Sequence, residues 1–501
     1  MSGPRPRFDF TAPVPPAHDL GAVHLIAIGG SGMSGVARML LAGGVPVSGS
    51  DRSDSPALRS LESAGARVHV GHDATHLGGA DTVVISGAIP EDNPELAAAR
   101  AAGLRVLHRA QGIASLLPGR DALAVAGANG KTTTSALATT ALRAAGADPG
   151  YVIGAPLAQT GASADPGAPG SPVVVEADES DGSFLAYRPR VAIVTNVQPD
   201  HLDFYGDVEA VELAYLDFTR TIRPGGLLVT HADDPGAARL AAAARAEGIR
   251  VVTWGEGEDA DVRLTDVSSS GMQCAGTLTW GRDLGPVAAG TTLRLQVPVP
   301  GEHNVHNATA ALLAATAGLG LPVGPVVDGL GQFSGAHRRF ERVGEAAGVE
   351  VVDDYAHNAP KVAAVVRAAR SAAAGRRVVV AFQPHLFSRT REFARGFADG
   401  LAGADVVVLL PVYGARETQE QFPGVTSGLL ADLLRARPEG PEVHEVAGLD
   451  QAAPALAEIV RRDGSDAEAS DLVVTVGAGD ITRVGPQLLA LLGRSETGEQ
   501  A

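Results

Sequence analysis

A chain of 501 residues, 45% of them apolar and only 4% aromatic, has room for about three domains with aliphatic cores. Its net charge of −17 argues against general nucleic-acid binding, and its one cysteine, Cys274, excludes an intrachain disulfide or a cysteine metal cluster. The N-terminus has no continuous apolar stretch of the secretory kind, and no uncharged apolar run approaches about 18 residues, so a cytoplasmic protein without a membrane span is expected.

Residues 1–20 are Pro-rich and polar and predict a loose arm. Ala22–Ile28 reads as a buried strand, followed by Gly29-Gly-Ser-Gly-Met-Ser-Gly35 and a helix through Ala42. Gly30-x-Gly32-x-x-Gly35 matches the dinucleotide fingerprint in its required place between strand and helix. A second strand, Val45–Ser48, leads to Asp51, where that fingerprint expects a ribose-binding acid. The motif recognises a diphosphate and a ribose, so NAD and a UDP-sugar both satisfy it. Strands near Arg67–Val70, Asp81–Ser86 and Arg105–Leu107 complete a first domain, 21–119.

The second domain, 120–334, opens on Leu123–Ala126, a β-prone run, then Gly127-Ala-Asn-Gly130, then Lys131-Thr-Thr-Thr and a helical segment. A helix N-terminus presents unpaired N–H groups to a phosphate, and glycines let the backbone approach it. Lys131 is placed to reach outer phosphates and Thr132 to hold Mg²⁺. The spacing is shorter than the standard phosphate loop, since the position six before the lysine is Val125. Context supports the motif: the chain has two lysines, Lys131 and Lys361, against 38 arginines. Arginine is a poor substitute where a compact ammonium must enter a phosphate cradle.

After a Gly/Pro/Ser/Ala loop at Gly161–Pro172, a short strand, Pro172–Val175, feeds Glu176-Ala-Asp-Glu-Ser-Asp181. Carboxylates just past a strand end suit Mg²⁺ in a nucleotide-binding sheet; the plain alternative is a solvated acidic turn. Strand Val191–Val194 ends in Thr195-Asn-Val-Gln-Pro-Asp-His-Leu-Asp203, where His201 reads as a second metal ligand or as an acid/base. Val208–Arg220 is helical, Leu227–Thr230 and Arg250–Trp254 are strands, and Val262–Val299 is a β-rich subsheet. Asn304 and Asn307 lie at the start of an expected helix, Ala308–Leu319, one to cap it and the other to read a base edge.

In the third domain, 335–493, Arg338 and Arg339 precede a strand, Val349–Val352, that runs into Asp353-Asp-Tyr-Ala-His-Asn-Ala-Pro360. Strand Arg377–Phe382 ends at Gln383-Pro-His-Leu-Phe-Ser-Arg-Thr-Arg391; Ala404–Pro411 and Leu472–Val476 are further strands, and 494–501 is a polar tail. The fold class is therefore α/β in three domains: an N-terminal Rossmann-like domain, a central P-loop-type ATPase domain with a small β subsheet, and a C-terminal Rossmann-like domain. A triphosphate and a second nucleotide ligand on one chain suggest phosphoryl transfer to a group tethered to that ligand. No Ser-His-Asp or Cys-His nucleophile stands out. A carboxylate activated by ATP and captured by an amine needs no enzyme nucleophile, only charge neutralisation and placement.

Taken together, IGGSGMSG (28–35), G-x-x-G-K-T-T-T (127–134), EADESD (176–181), TNVQPDHLDFYG (195–206), GEHNVHNATAA (301–311), FSGAHRRFE (333–341), DDYAH (353–357) and QPHLFSRT (383–390) resemble the Mur ligase family from about Val23 to Leu492. GGSGMSG with EADESD resembles the alanine-adding member and its relative that ligates preformed muropeptides. The resemblance implies that UDP-N-acetylmuramate lies on Gly30, Ser31, Gly32, Met33 and Ser34, with Asp51 and Ser86 nearby. It implies ATP on Gly127, Ala128, Asn129, Gly130, Lys131, Thr132 and Thr133, with Asn307 at adenine and Arg338 or Arg339 and Asp354 along the nucleotide. Thr132 and Glu176 would hold one Mg²⁺, and His201 would help hold a second. His357 and Arg389 would face the incoming L-alanine, whose amine attacks an acyl phosphate. A monomer or homodimer is expected.

Three departures stand out. Ala128-Asn129 replaces a Thr-His pair found in several members, Asn358 replaces a second histidine, and Leu386 replaces an arginine found in some. No lysine lies between Lys131 and Lys361, so the carboxylated lysine of later family ligases has no counterpart. An NAD-dependent oxidoreductase would leave the phosphate loop and EADESD unexplained. A non-catalytic nucleotide-gated scaffold would leave Lys131, Thr132, Glu176 and His201 without a task.

Overall fold

The computed structural model describes residues 7–462 and 471–496, and for Ser31, Asp203, Arg462, Arg494, Ser495 and Glu496 the backbone alone. Three sheets carry the chain. The first has five parallel strands, β1 (Val23–Ile26), β2 (Val47–Asp51), β3 (Arg67–Val70), β4 (Thr82–Ile85) and β5 (Arg105–His108), in the order β3-β2-β1-β4-β5. The order reverses between β1 and β4, which opens a crevice at the carboxyl end of β1, where the first glycine turn lies.

The second sheet has ten strands: β6 (Ala122–Ala126), β7 (Gly150–Val152), β8 (Ala164–Asp165), β9 (Val173–Glu176), β10 (Val191–Val194), β11 (Leu227–His231), β12 (Val251–Gly255), β13 (Val262–Ser270), β14 (Gln273–Trp280) and β15 (Thr292–Val297). Its order is β15-β14-β13-β12-β11-β10-β6-β9-β7-β8. β6 lies between β10 and β9 and pairs parallel with both. That register sets the turn after β6 beside the strand ends that carry Glu176 and Thr195. β6 and β10 are buried throughout, as expected where helices cover both faces of a parallel sheet. β14 instead alternates buried positions with half-buried ones after an exposed Gln273.

The third sheet comprises β16 (Glu341–Ala346), β17 (Val349–Asp354), β18 (Val378–Phe382), β19 (Val406–Leu409), β20 (Glu442–Glu445) and β21 (Leu472–Val476), in the order β16-β17-β21-β18-β19-β20. All pairs are parallel except β16 with β17. By compactness the chain forms two units. One contains the chain up to Asp266 with Gly276–Val297 and Val305–Phe333; the other contains Val267–Ala275, Pro298–Asn304 and the chain from Ser334. The tip of the β13–β14 hairpin thus belongs to the second unit, where Ser371 Oγ donates to Ser269 O at 2.9 Å.

The structure corrects several sequence expectations. The arm is packed down over its described part. Arg7 donates to Ile89 O at 2.6 Å, Phe8 and Phe10 flank the His108 ring with centroids 5.2 Å away, and Arg188 donates to Thr11 O at 2.8 Å. Aromatic rings and an arginine inside a Pro-rich stretch have no period to announce them, and their partners lie far along the chain. The helix expected from Ala308 begins at His303 and ends in a π-helical turn, Ala314–Gly318. Asn304 and Asn307 therefore lie within it rather than before it. β16 and β20 have exposed, charged sequences that gave no strand signal. The last helix runs to Glu496, past the expected end of the third domain at 493; residues 1–6 of the arm and 497–501 of the tail lie outside the described residues.

Candidate active site

β6 delivers its chain into the turn Gly127–Gly130, and the helix Lys131–Ala144 starts at once. Gly127 (φ 130°) and Gly130 (φ 87°) occupy conformations that disfavour side chains. The space is equally restrictive: a Cβ on Gly127 would collide with Thr195 Oγ1, and one on Gly130 would lie 2.8 Å from Asn307 Oδ1. The turn is braced by the loop after β10. Asn129 N–H donates to Asn196 Oδ1 at 2.9 Å, Thr195 Oγ1 donates to Asn129 O at 2.6 Å, and Asn129 Nδ2 donates to Gln198 Oε1 at 3.0 Å. Asn129, the departure from Thr-His, is thus a structural brace, and Ala128 is buried beneath the turn. Thr195, Asn196 and Gln198 were visible as a polar strand end, but their grip on the turn was not.

Two acids meet the helix start. Thr132 Oγ1 donates to Glu176 Oε1 at 3.1 Å, and Gly154 N–H donates to Glu176 Oε2 at 2.7 Å. Lys131 Nζ donates to both oxygens of Glu179 at 2.7 Å and to Gly127 O at 2.8 Å. Burial alone disfavours the Lys131 charge, but the Glu179 and Asp178 carboxylates outweigh it and hold the ammonium above its ordinary pKa. His201, in a left-handed backbone conformation (φ 53°), places Nε2 3.9 Å from Glu179 Oε1 and 3.9 Å from Asp200 Oδ2. Among the described residues no group of three His, Cys, Asp or Glu side chains forms a complete metal cage. The adjacent Thr132 hydroxyl and Glu176 carboxylate are nevertheless hard oxygen donors of the kind Mg²⁺ takes when substrate phosphates and water complete its shell. The residues fit that ion.

At the first glycine turn, Gly30 caps the helix Ser31–Ala42. Ser31 opens that helix, but its side chain lies outside the described residues. The Ser34 N–H is used in the first helical turn, by Gly30 O, and the Met33 side chain is buried in the core, so Met33 offers a ligand only its backbone. Asp51 turns back to the loop and accepts from Gly29 N–H at 2.9 Å. Ser86 follows β4 at the same sheet edge. The sequence reading did not foresee Arg109. A Cβ on Gly32 would lie 2.5 Å from its Nη1, so its guanidinium lies against the glycine turn, 4.0 Å from Asp178. Beside it, His108 Nε2 is 3.4 Å from Asp181 Oδ2, and burial pushes the His108 pKa down to about 4 despite that acid. EADESD therefore faces both glycine turns.

In the second unit, β17 ends in two acids with different partners. Asp353 pairs with Arg338 at 3.2 Å; Asp354 accepts backbone N–H groups of Phe340 at 2.8 Å and Ala356 at 2.7 Å, and burial pushes its carboxyl pKa up. Arg338 has a positive φ of 56° and also bonds Gly477 O, so it braces the β17 and β21 strand ends. Arg339 lies over the Tyr355 ring, 5.3 Å from its centroid. His357 Nδ1 meets Tyr355 O at 3.0 Å, which assigns the proton to Nδ1 and leaves Nε2 as an acceptor. Burial, with help from the Arg389 and Lys361 charges, lowers the His357 pKa to about 4. Arg389 donates to His357 O at 3.4 Å, and His385, which sequence reasoning passed over, lies 5.7 Å from the His357 ring. Asn358 caps the helix Ala359–Ala373 by accepting from Lys361 N–H at 3.0 Å. Leu386 is buried with φ 68°.

Family models match along the chain: the Mur ligase family, catalytic domain at residues 22–120, the Mur ligase middle domain at 125–315 and the Mur ligase, glutamate ligase domain at 338–479. The UDP-N-acetylmuramate–L-alanine ligase of Kineococcus radiotolerans is 52% identical over 94% of this chain and 96% of its own length. The enzyme of the same name from Thermobifida fusca is 47% identical over 95% and 97%. Among solved structures, UDP-N-acetylmuramate-alanine ligase from Thermotoga maritima aligns with a TM-score of 0.76 at 28% identity, covering 95% of this chain and all of its own. A murein peptide ligase from Psychrobacter arcticus shares the fold, with a TM-score of 0.64 at 24% identity over 94% of this chain and 99% of its own.

Proposed function

The chain belongs to the Mur ligase family, and on that footing we propose that it joins L-alanine to the lactyl carboxylate of UDP-N-acetylmuramate in an ATP-dependent step of cytoplasmic peptidoglycan precursor synthesis. The observation that carries this reading is near-full-length identity of about half to ligases of that name, on a chain whose Lys131, Thr132 and Glu176 meet at one glycine turn. We read residues 21–119, 120–334 and 335–493 as its UDP-sugar, ATP and ligase domains.

In this reading ATP lies on Gly127–Thr133, with Asn307 beside Gly130 on the adenine side. Lys131 neutralises charge on the outer phosphates as the lactyl carboxylate attacks the γ-phosphorus. The carboxylate oxygen bonds to phosphorus, the bond to the bridging oxygen breaks, and ADP leaves. Thr132 and Glu176 would hold Mg²⁺, with His201 near a second, and that ion would screen the phosphate charges. Arg389 orients the L-alanine carboxylate, and neutral His357 accepts a hydrogen bond from its amine through Nε2. Attack of the neutral amine on the acyl phosphate gives a tetrahedral intermediate, which loses one N–H proton to solvent and expels phosphate to leave the amide. Arg338 pairs with Asp353, and it or Arg339 would meet the nucleotide, with Asp354 beside them. The UDP-sugar diphosphate lies on the Gly30–Ser34 turn, with Asp51 at its rim and Ser86 at the next strand end.

The reading in which a preformed tripeptide replaces L-alanine has less support, because the eight curated relatives at 46–52% identity are all named for alanine. Phosphate release from ATP and Mg²⁺ with UDP-N-acetylmuramate separates the two. Release that depends on L-alanine, with a product heavier by one alanine residue, supports the proposal. Release with tripeptide alone replaces it.

A further inference from the structure

The Lys131–Glu179 contact has no task in the reaction as drawn. An ammonium has three N–H donors, and Lys131 uses all three: one on Gly127 O and one on each oxygen of Glu179. A phosphate arriving at the turn gains an N–H from Lys131 only by displacing one of these acceptors. Gly127 O belongs to a backbone fixed by Thr195, Asn196 and the positive φ of Gly127. Glu179 is a side chain, and it is the acceptor that can turn away.

We propose that Glu179 is a positioning residue of the ATP site that stands in for phosphate: its carboxylate holds Lys131 at the glycine turn until a nucleotide phosphate takes its place. The proposal rests on the ATP reading of Gly127–Thr133. The carboxylate meets Lys131 with two equal contacts, as a phosphate edge does. The pair is withdrawn from water, with side chains 3% and 16% exposed, so the exchange is between buried partners rather than with solvent. Its backbone carbonyl is held by the Tyr205 hydroxyl, which leaves the side chain as the moving part. The displaced carboxylate has a neighbour ready in His201. A stand-in of this kind keeps the lysine correctly placed when the site is empty, and it weakens nucleotide binding because a negative charge must be moved aside first.

The test is calorimetric titration of the full-length wild type, Glu179→Gln and Glu179→Asp with ATP and with AMP, in EDTA without Mg²⁺ or UDP-sugar. Glu179→Gln is expected to bind ATP about tenfold more tightly than wild type, because the competing charge is gone. Glu179→Asp, one methylene short of Lys131, should tighten ATP by a smaller factor. AMP, which has no outer phosphates, should bind all three alike. ATP affinity that is unchanged or weaker in Glu179→Gln overturns the proposal, as does equal tightening of AMP. If Glu179→Gln does not fold, as judged by its thermal transition, the sign of the change in Glu179→Asp decides. If wild type binds ATP only once Mg²⁺ is restored, the same comparisons are made in Mg²⁺; failure to bind even then overturns the ATP reading itself, and this inference with it.

Discussion

Two glycine turns in the first unit follow the same plan, a buried parallel strand feeding a helix, yet they obtain their cations differently. At Gly127–Gly130 the cation is Lys131, inside the motif, and two glycines with positive φ shape the bend. At Gly29–Gly35 the motif contains no cation. The guanidinium that lies against Gly32 comes from Arg109, after β5, nearly eighty residues along the chain. A turn that carries its own charge can be read from its sequence; one that borrows its charge through the fold cannot. EADESD ties the two together, with Glu176 and Glu179 at the second turn and Asp178 and Asp181 facing Arg109 and His108.

The sharpest way to break the comparison is at Lys131. Lys131→Ala should lower turnover on the order of 10³-fold while UDP-N-acetylmuramate still binds in an equilibrium titration. Near-native ligation would remove the phosphate-loop assignment. Glu176→Ala should cost roughly 10- to 100-fold and raise the Mg²⁺ concentration needed for half-maximal rate. A rate loss with unchanged metal dependence would move the ion elsewhere. Arg109→Ala should raise KM for UDP-N-acetylmuramate roughly tenfold and leave KM for ATP alone, since its guanidinium lies against Gly32 at the turn where the UDP-sugar diphosphate is proposed to lie. Equal effects on both substrates would mean that Arg109 supports EADESD rather than the first turn.

The smallest effect concerns pH. Burial holds His108 near 4, below its ordinary 6.5. Between those values the unfolded chain binds a proton that the native chain does not, so stability rises with pH across the window and is lost as pH falls toward 4. Going from pH 6.5 to 5.5 should cost about 1 kcal/mol from this group alone, and His108→Gln should flatten that part of a stability–pH curve measured by urea unfolding. His357, also held near 4, should leave the acid limb of the rate profile well below pH 6.5. An acid limb at 6.5 would mean that His357 titrates normally or takes no part.

The α/β character and the placement of polar motifs at strand ends were legible because parallel strands buried on both faces form unbroken apolar runs, as in β6, β10 and β21. The helix Val208–Arg220 was legible to the residue from its periodicity. Less legible was everything set by distant partners: the arm held by His108 and Arg188, the grip of Asn196 on Asn129, the Glu179 carboxylate on Lys131, and the membership of the β13–β14 tip in the second unit. β16 and β20 escaped notice because edge strands with exposed charges lack the apolar pattern that marks an inner strand.

The central claim is that ATP activates the lactyl carboxylate before the amine arrives. It is tested most directly by labelling that carboxylate with ¹⁸O and following the label during turnover with L-alanine. An acyl phosphate predicts one ¹⁸O atom in each phosphate released, because the amine displaces phosphate together with a former carboxylate oxygen. Phosphate free of label would contradict the account, since the carboxylate would then never have been bonded to phosphorus.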